Sequence, residues 1–280
     1  MDLVNLRNDL QERYLSLVEY MNSSFGIFRL FVKKHALVVF FHFLFSVMLG
    51  LFVSFFLWQP LKKLYEISEK YNTQGAVDMK EYATVILMAC TYLLGYFIIS
   101  IVIEFIIVII RKKIGLEIED EIKEFKLSEV IVKFMIMTFA NILIGIFIGI
   151  IAIIFSKFAN PLILMMVILL VIKLNILYFK QAYYLRNVNI IEAFKYNFHL
   201  SKGKRLTIII PIVIIVFVTI LINQFFGWIL EAIIKNPQIL GIVISIIAGI
   251  IKTISEIFTI TIENVIYLNM EYIDLKDSEI

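Results

Sequence analysis

The chain has 280 residues, 61% hydrophobic and only 18% charged, with a formal net charge of +3 and a mean hydropathy of +0.93. Soluble domains run at about 45–50% apolar and about 25% charged, so this composition calls for a membrane rather than one buried core. Its 25 Phe, 13 Tyr and 4 Pro exclude disordered and collagenous classes, the lone Cys90 excludes an internal disulfide framework, and +3 gives no ground for expecting nucleic acid.

In chain order, residues 1–35 read as an amphipathic segment at the cytoplasmic face. Leu3, Leu6, Leu10, Leu17 and Met21 recur at helical spacing, and the string SSFGIFRLFVKKH then adds aromatic and basic residues. No cleavable signal is expected, because the first apolar run, 36–58, is already long enough to be a full span. That run is interrupted by His42, Ser46 and Ser54, and His42 is expected to be a buried, hydrogen-bonded residue rather than a metal ligand. A second run covers 82–110 and contains Glu104. The mixed-charge stretch that follows places Ile118, Ile122 and Phe125 on one face. A third run, 134–155, carries Asn141, Gly145 and Gly149 at four-residue spacing, which lets helix backbones approach closely. Packing inside the same bundle is the commoner outcome for such a stripe, with a homodimer as the alternative.

The fourth run, 162–179, is short and ends near Lys173 and Asn175. Next comes NVNIIEAFKYNFHLSKGKR. Here Asn189 and Glu192 have capping-box spacing, Ile191, Phe194 and Phe198 form an apolar stripe, and Gly203 suits the position just past a helix end. The fifth run, 206–230, contains Pro211, which predicts a kink, and the sixth extends over 239–270. Crossing a 30 Å hydrocarbon core takes about 20 helical residues, so the expected fold is all-α. It has six membrane-spanning helices in one domain, 36–280, with amphipathic segments before the first, third and fifth.

Lysine and arginine set the expected orientation. The stretches 1–35, 111–133, 180–205 and 271–280 carry 5, 6, 6 and 1 of them, whereas 59–81, 156–161 and 231–238 carry 4, 1 and 1. Eighteen against six places both termini in the cytoplasm. Basic clusters beside a membrane also attract anionic lipid headgroups, at about 1 kcal/mol per charge. Lys195, Lys202, Lys204 and Arg205 are the candidate contacts. The alternative is that they serve only to fix topology.

The string IIEAFKYNFHLSKGKR resembles the signature of a broad bacterial membrane-protein family. That family includes the membrane domain fused to some glycerophosphodiester phosphodiesterases and many stand-alone proteins. Glu192, Ala193, Leu200, Ser201, Lys202 and Gly203 match the pattern, and Asn197 stands where Ser is usual. The resemblance implies a six-helix protein of the bacterial cytoplasmic membrane. It implies no phosphodiesterase activity, since 280 residues leave no room for that soluble domain.

Ionisable groups inside spans cost about 2.5–3.5 kcal/mol each on insertion scales, so each marks a functional candidate. On the sixth span Ser245, Lys252, Glu256, Thr259 and Glu263 fall within about 60° of one another at 100° per residue. Lys252 and Glu256, four apart, can pair directly. The stripe is either a polar path, joined by Glu104 and Lys173, or a lock between helices. No phosphate-binding loop, HExxH pair, nucleophile elbow or Cys/His cluster occurs in the sequence. The expected function is therefore a non-enzymatic inner-membrane protein, a scaffold associated with the envelope or with lipid, needing no cofactor or metal. Its expected partners are the bilayer and anionic headgroups, with the protein partner undefined. The alternative is a transporter or permease component with a polar path along the sixth helix.

Overall fold

A computed structural model describes residues 3–74, 79–119, 125–155 and 160–278. The chain is all-α, and no strand occurs among the described residues. Five helical stretches are long and apolar enough to cross a membrane: Ala36–Lys70, Met79–Glu119, Leu127–Ile151, Arg205–Ile233 and Pro237–Lys276. A sixth, formed by Ile163–Asn175 with Phe179–Leu185, is bent by 55°. Large apolar side chains point outward along these helices, among them Phe147, Met166, Phe217 and Trp228. In water such exposure would drive aggregation, whereas lipid solvates it. This is the architecture of a multi-pass membrane protein.

The elements in chain order are α1 (Leu3–Glu12), α2 (Leu17–Lys34), α3 (Ala36–Phe52), a π-helical turn (Val53–Leu57), α4 (Trp58–Gln74), α5 (Met79–Glu119) and α6 (Leu127–Ile154). They continue with α7 (Pro161–Asn175), α8 (Phe179–Leu185), α9 (Ile190–Ser201), α10 (Arg205–Ile233) and α11 (Pro237–Ser278). Two compact units are built from these elements. Unit 1 comprises Met1–Lys34, Val108–Ile214 and Ile257–Ile280; unit 2 comprises His35–Ile107 and Ile215–Glu256.

Several boundaries differ from the sequence expectations. Residues 59–74, expected as a loop, continue the first span as α4. Pro60 would clash with the carbonyl of Phe56 in a regular helix. One π turn just before it widens the helix there, and the Trp58 amide reaches back to the Val53 carbonyl. The amphipathic stretch after the second span takes a different form: 111–119 extend α5 and 127–133 open α6. Ile118 in that stretch is fully buried, Phe125 lies under Lys113 with its ring centre 5.2 Å from Nζ, and Ile122 lies outside the described residues.

The Asn141–Gly145–Gly149 stripe does not pack as expected. Asn141 is exposed, and a Cβ at Gly145 or Gly149 would meet no atom within 4 Å. Close approach is found instead in unit 2, where α3 meets α11. A Cβ at Gly249 would lie 2.5 Å from Val47 Cγ2, and one at Gly50 would lie 3.2 Å from Ser245 Cβ.

Candidate functional site

In unit 1, α9 is positioned from both ends and from beneath. Its start is a capping box: the Glu192 amide donates to Asn189 Oδ1 at 2.9 Å, and the Asn189 amide donates to Glu192 Oε2 at 3.0 Å. Together these satisfy two amides that the first turn leaves without helical partners. At its other end Gly203 takes φ +77°, a conformation that costs other L-residues about 1–2 kcal/mol. Between the ends, Ala193, Asn197, Leu200 and Ser201 are buried. The motif residues of this segment thus begin the helix, pack its inner face and end it.

Asn197, the one departure from the motif pattern, has a specific structural task. α7 stops at Asn175 and the chain turns before α8, freeing backbone groups that a continuous helix would pair. Asn197 Nδ2 donates to the Asn175 carbonyl at 2.6 Å, and the Tyr178 amide donates to Asn197 Oδ1 at 2.9 Å. One side-chain amide closes both sides of the break. A serine could not span the two positions as donor and acceptor with the same reach.

The outer face of α9 is left open. Ile191, Phe194 and Phe198, the apolar stripe, are 67%, 44% and 40% exposed. Lys195, Lys202 and Arg205 are exposed alongside them. Lys204 differs: its Nζ donates to the Tyr14 hydroxyl and lies 3.9 Å from the centre of that ring. α2 adds Val18 and Phe25 as exposed apolar residues of the same unit. A helix with apolar side chains and cations outward and its own small residues inward suits the plane of a membrane interface.

The same unit contains charge networks of which the sequence singles out only Glu263. Arg186 Nε donates to both carboxylate oxygens of Glu271, at 2.8 and 2.9 Å, and its Nη2 lies 2.6 Å from Glu119. Burial by itself disfavours the guanidinium charge, but the two carboxylates outweigh it and hold the Arg186 pKa above its ordinary value. Burial, then Glu271 and Asp274, push the Tyr196 hydroxyl up. Arg111 donates to Glu263 at 2.7 Å, as does Gln181 at 2.9 Å. Asn269 uses all four of its hydrogen-bonding positions, accepting from the Leu15 amide and the Tyr20 hydroxyl and donating to the carbonyls of Leu10 and Arg13. It thereby fastens the α1–α2 connection to α11.

The polar stripe expected on the sixth span divides between the two units. In unit 1, Glu263 serves the Arg111 cluster, and Thr259 is half-buried. In unit 2, Ser245 is buried and donates to the Gly241 carbonyl. Lys252 lies 3.8 Å from Glu256, at the limit of an ion pair, and Glu256 has a closer partner in His42, with Nε2 and Oε2 2.8 Å apart. His42 is fully buried, and its Nδ1 lies 3.0 Å from the Thr253 hydroxyl. Glu104 and Lys173 are both exposed.

Among the described residues no three His, Cys, Asp or Glu side chains are grouped to hold a metal ion. Comparison of the chain with protein families, curated proteins and solved structures finds no match.

Proposed function

We propose that the protein is a non-enzymatic membrane scaffold that holds anionic lipid headgroups along α9, with both termini in the cytoplasm of a bacterial cell. The observation that carries this reading is the outward placement of Ile191, Phe194 and Phe198 beside Lys195, Lys202 and Arg205, on a helix whose inner face and ends are fixed. Aromatic and aliphatic side chains enter the headgroup boundary, while the cations meet phosphate. Family resemblance of the 192–203 motif supports the same cellular setting.

The test is lipid retention by the purified protein, measured by native mass spectrometry from mixed phosphatidylglycerol and phosphatidylcholine micelles. The wild-type chain retains phosphatidylglycerol preferentially. Lys195→Gln with Lys202→Gln and Arg205→Gln lowers that preference by about fivefold per charge, since each is worth about 1 kcal/mol. Equal retention by the triple variant overturns the reading.

The second reading, a transporter or permease component, draws on the ionisable side chains of α11 and on the 55° bend in the fourth span. Broken helices and intramembrane charges recur where solutes cross. Replacing Lys252 by Met together with Glu256 by Leu separates a path from a lock. A folded double variant that keeps its phenotype excludes a path through these residues.

A further inference from the structure

Unit 2 contains a buried cluster for which lipid binding has no use. His42 on α3 is fully buried, yet both of its ring nitrogens have polar neighbours from α11: Thr253 Oγ1 at 3.0 Å from Nδ1, and Glu256 Oε2 at 2.8 Å from Nε2. The two carboxylate oxygens of Glu256 have different surroundings. Oε2 is buried 2.8 Å from Nε2, an ion-pair distance at which neither atom makes a hydrogen bond, and Oε1 is turned to Lys252 at 3.8 Å, with about a third of the side chain exposed. One helical turn beyond His42 on α3, the buried Ser46 hydroxyl has no hydrogen-bond partner. Gly249 and Gly50 bring α3 and α11 close enough to enclose this strip.

We infer that His42 and Glu256 form an exchangeable proton-binding site within the apolar helices. A neutral imidazole keeps its proton on Nδ1, donated to the Thr253 hydroxyl, which leaves Nε2 unprotonated beside the carboxylate. Uptake forms an N–H bond at Nε2, and the new charge lies against Glu256 Oε2. Release breaks that same bond. The proton comes from and returns to water by way of the partly exposed Glu256 side chain, whose Oε2 is the atom beside Nε2. Histidine is the side chain whose charge ordinarily changes between about pH 5 and 8, and a carboxylate set against it is the standard means of holding that charge in a dry site. The charged groups brought beside the ring are Glu256 and Lys252. α4, α5 and α10 complete the unit, and their charged residues there, Lys62, Lys63, Glu66, Glu69 and Lys70 on α4, Lys80, Glu81 and Glu104 on α5 and Glu231 on α10, are all exposed. The site stands whether or not α9 binds lipid.

Nitrogen-15 chemical shifts of the histidine rings, followed from pH 5 to 9 in lipid nanodiscs, test this directly. The chain has three histidines, and His35→Gln and His199→Gln assign His42 by elimination without touching the cluster. The expected result is that His42 passes from neutral to imidazolium shifts as pH falls, and that Glu256→Gln displaces the midpoint. Ring shifts that stay constant across the range overturn the proposal. So does a midpoint unchanged by Glu256→Gln, because the carboxylate then has no part in holding the proton. Should that variant fail to fold, the wild-type titration alone decides whether the buried ring exchanges.

Discussion

Asn197 and Asn269 carry more of unit 1 than their neutral side chains suggest. Each is fully buried, and each bonds to backbone groups that no helix provides for. A buried backbone group left unsatisfied costs about 1–3 kcal/mol. Asn197→Ala strands one carbonyl and one amide at the α7–α8 break, so thermal unfolding in detergent is expected to show a loss of about 2–4 kcal/mol. Glu19 gives a pH-dependent counterpart on the surface. It accepts from both terminal nitrogens of Arg13 and from the Ser16 amide at 2.7 Å, and these bonds, those of Arg13 foremost, hold its carboxyl down at about 2. A carboxyl depressed by folding stabilises above its unfolded value near 4.5 and loses that contribution as pH falls toward 2. Glu19→Gln is therefore expected to lower the melting temperature at pH 7 and to make no difference once pH has fallen below about 2. The pairing of Ser16 with Glu19 follows capping-box spacing and can be read from a string of letters. The partners of Asn197 and Asn269 cannot, because their bonds reach 22 and 259 residues along the chain.

Among the helices, small residues matter only where a neighbour arrives. α6 carries Asn141, Gly145 and Gly149 in the register that favours close packing, yet these positions face open space, whereas Gly249 of α11 sits against Val47 of α3. Gly249→Val is expected to destabilise the protein by about 1–3 kcal/mol through overpacking. Gly145→Ala should leave the melting temperature unchanged or slightly raised, because nothing opposes the added methyl group. Four-residue spacing of small side chains is legible in the sequence, and for Ser245 and Gly249 so is the inward direction, since they share a face with Lys252 and Glu256; that no neighbour reaches Gly145 and Gly149 is not legible. α9 makes the same point in reverse. Its apolar stripe was plain from Ile191, Phe194 and Phe198, but helical periodicity reports that a helix has two faces without saying which one the protein covers. Ala193 and Ser201, small enough for tight contact, decide it: that side packs and the aromatic side turns outward.

Across the whole molecule, the expected topology is open to direct measurement. In a Cys90→Ser background, single cysteines at Lys195→Cys and Lys235→Cys sit at exposed positions in segments assigned to opposite sides. A membrane-impermeant maleimide is expected to label the second in intact cells and the first only after permeabilisation. The reverse pattern would refute the orientation drawn from eighteen cations against six. Composition and the lengths of apolar runs by themselves determined an all-α chain with about six crossings, because hydrocarbon demands internally paired backbone over about 20 residues wherever the chain spans it. The sequence also singled out Lys252, Glu256 and Glu263, since a charge inside an apolar run stands out in one dimension. Only the tertiary structure decided what each of them meets: His42 for Glu256, and Arg111 with Gln181 for Glu263. It alone turned Arg186, Glu119 and Glu271 from separate charges along the chain into one largely enclosed triad. Hydropathy is a property of neighbours along the chain, whereas the pairing of buried charges depends on distances that exist only after distant segments have folded together.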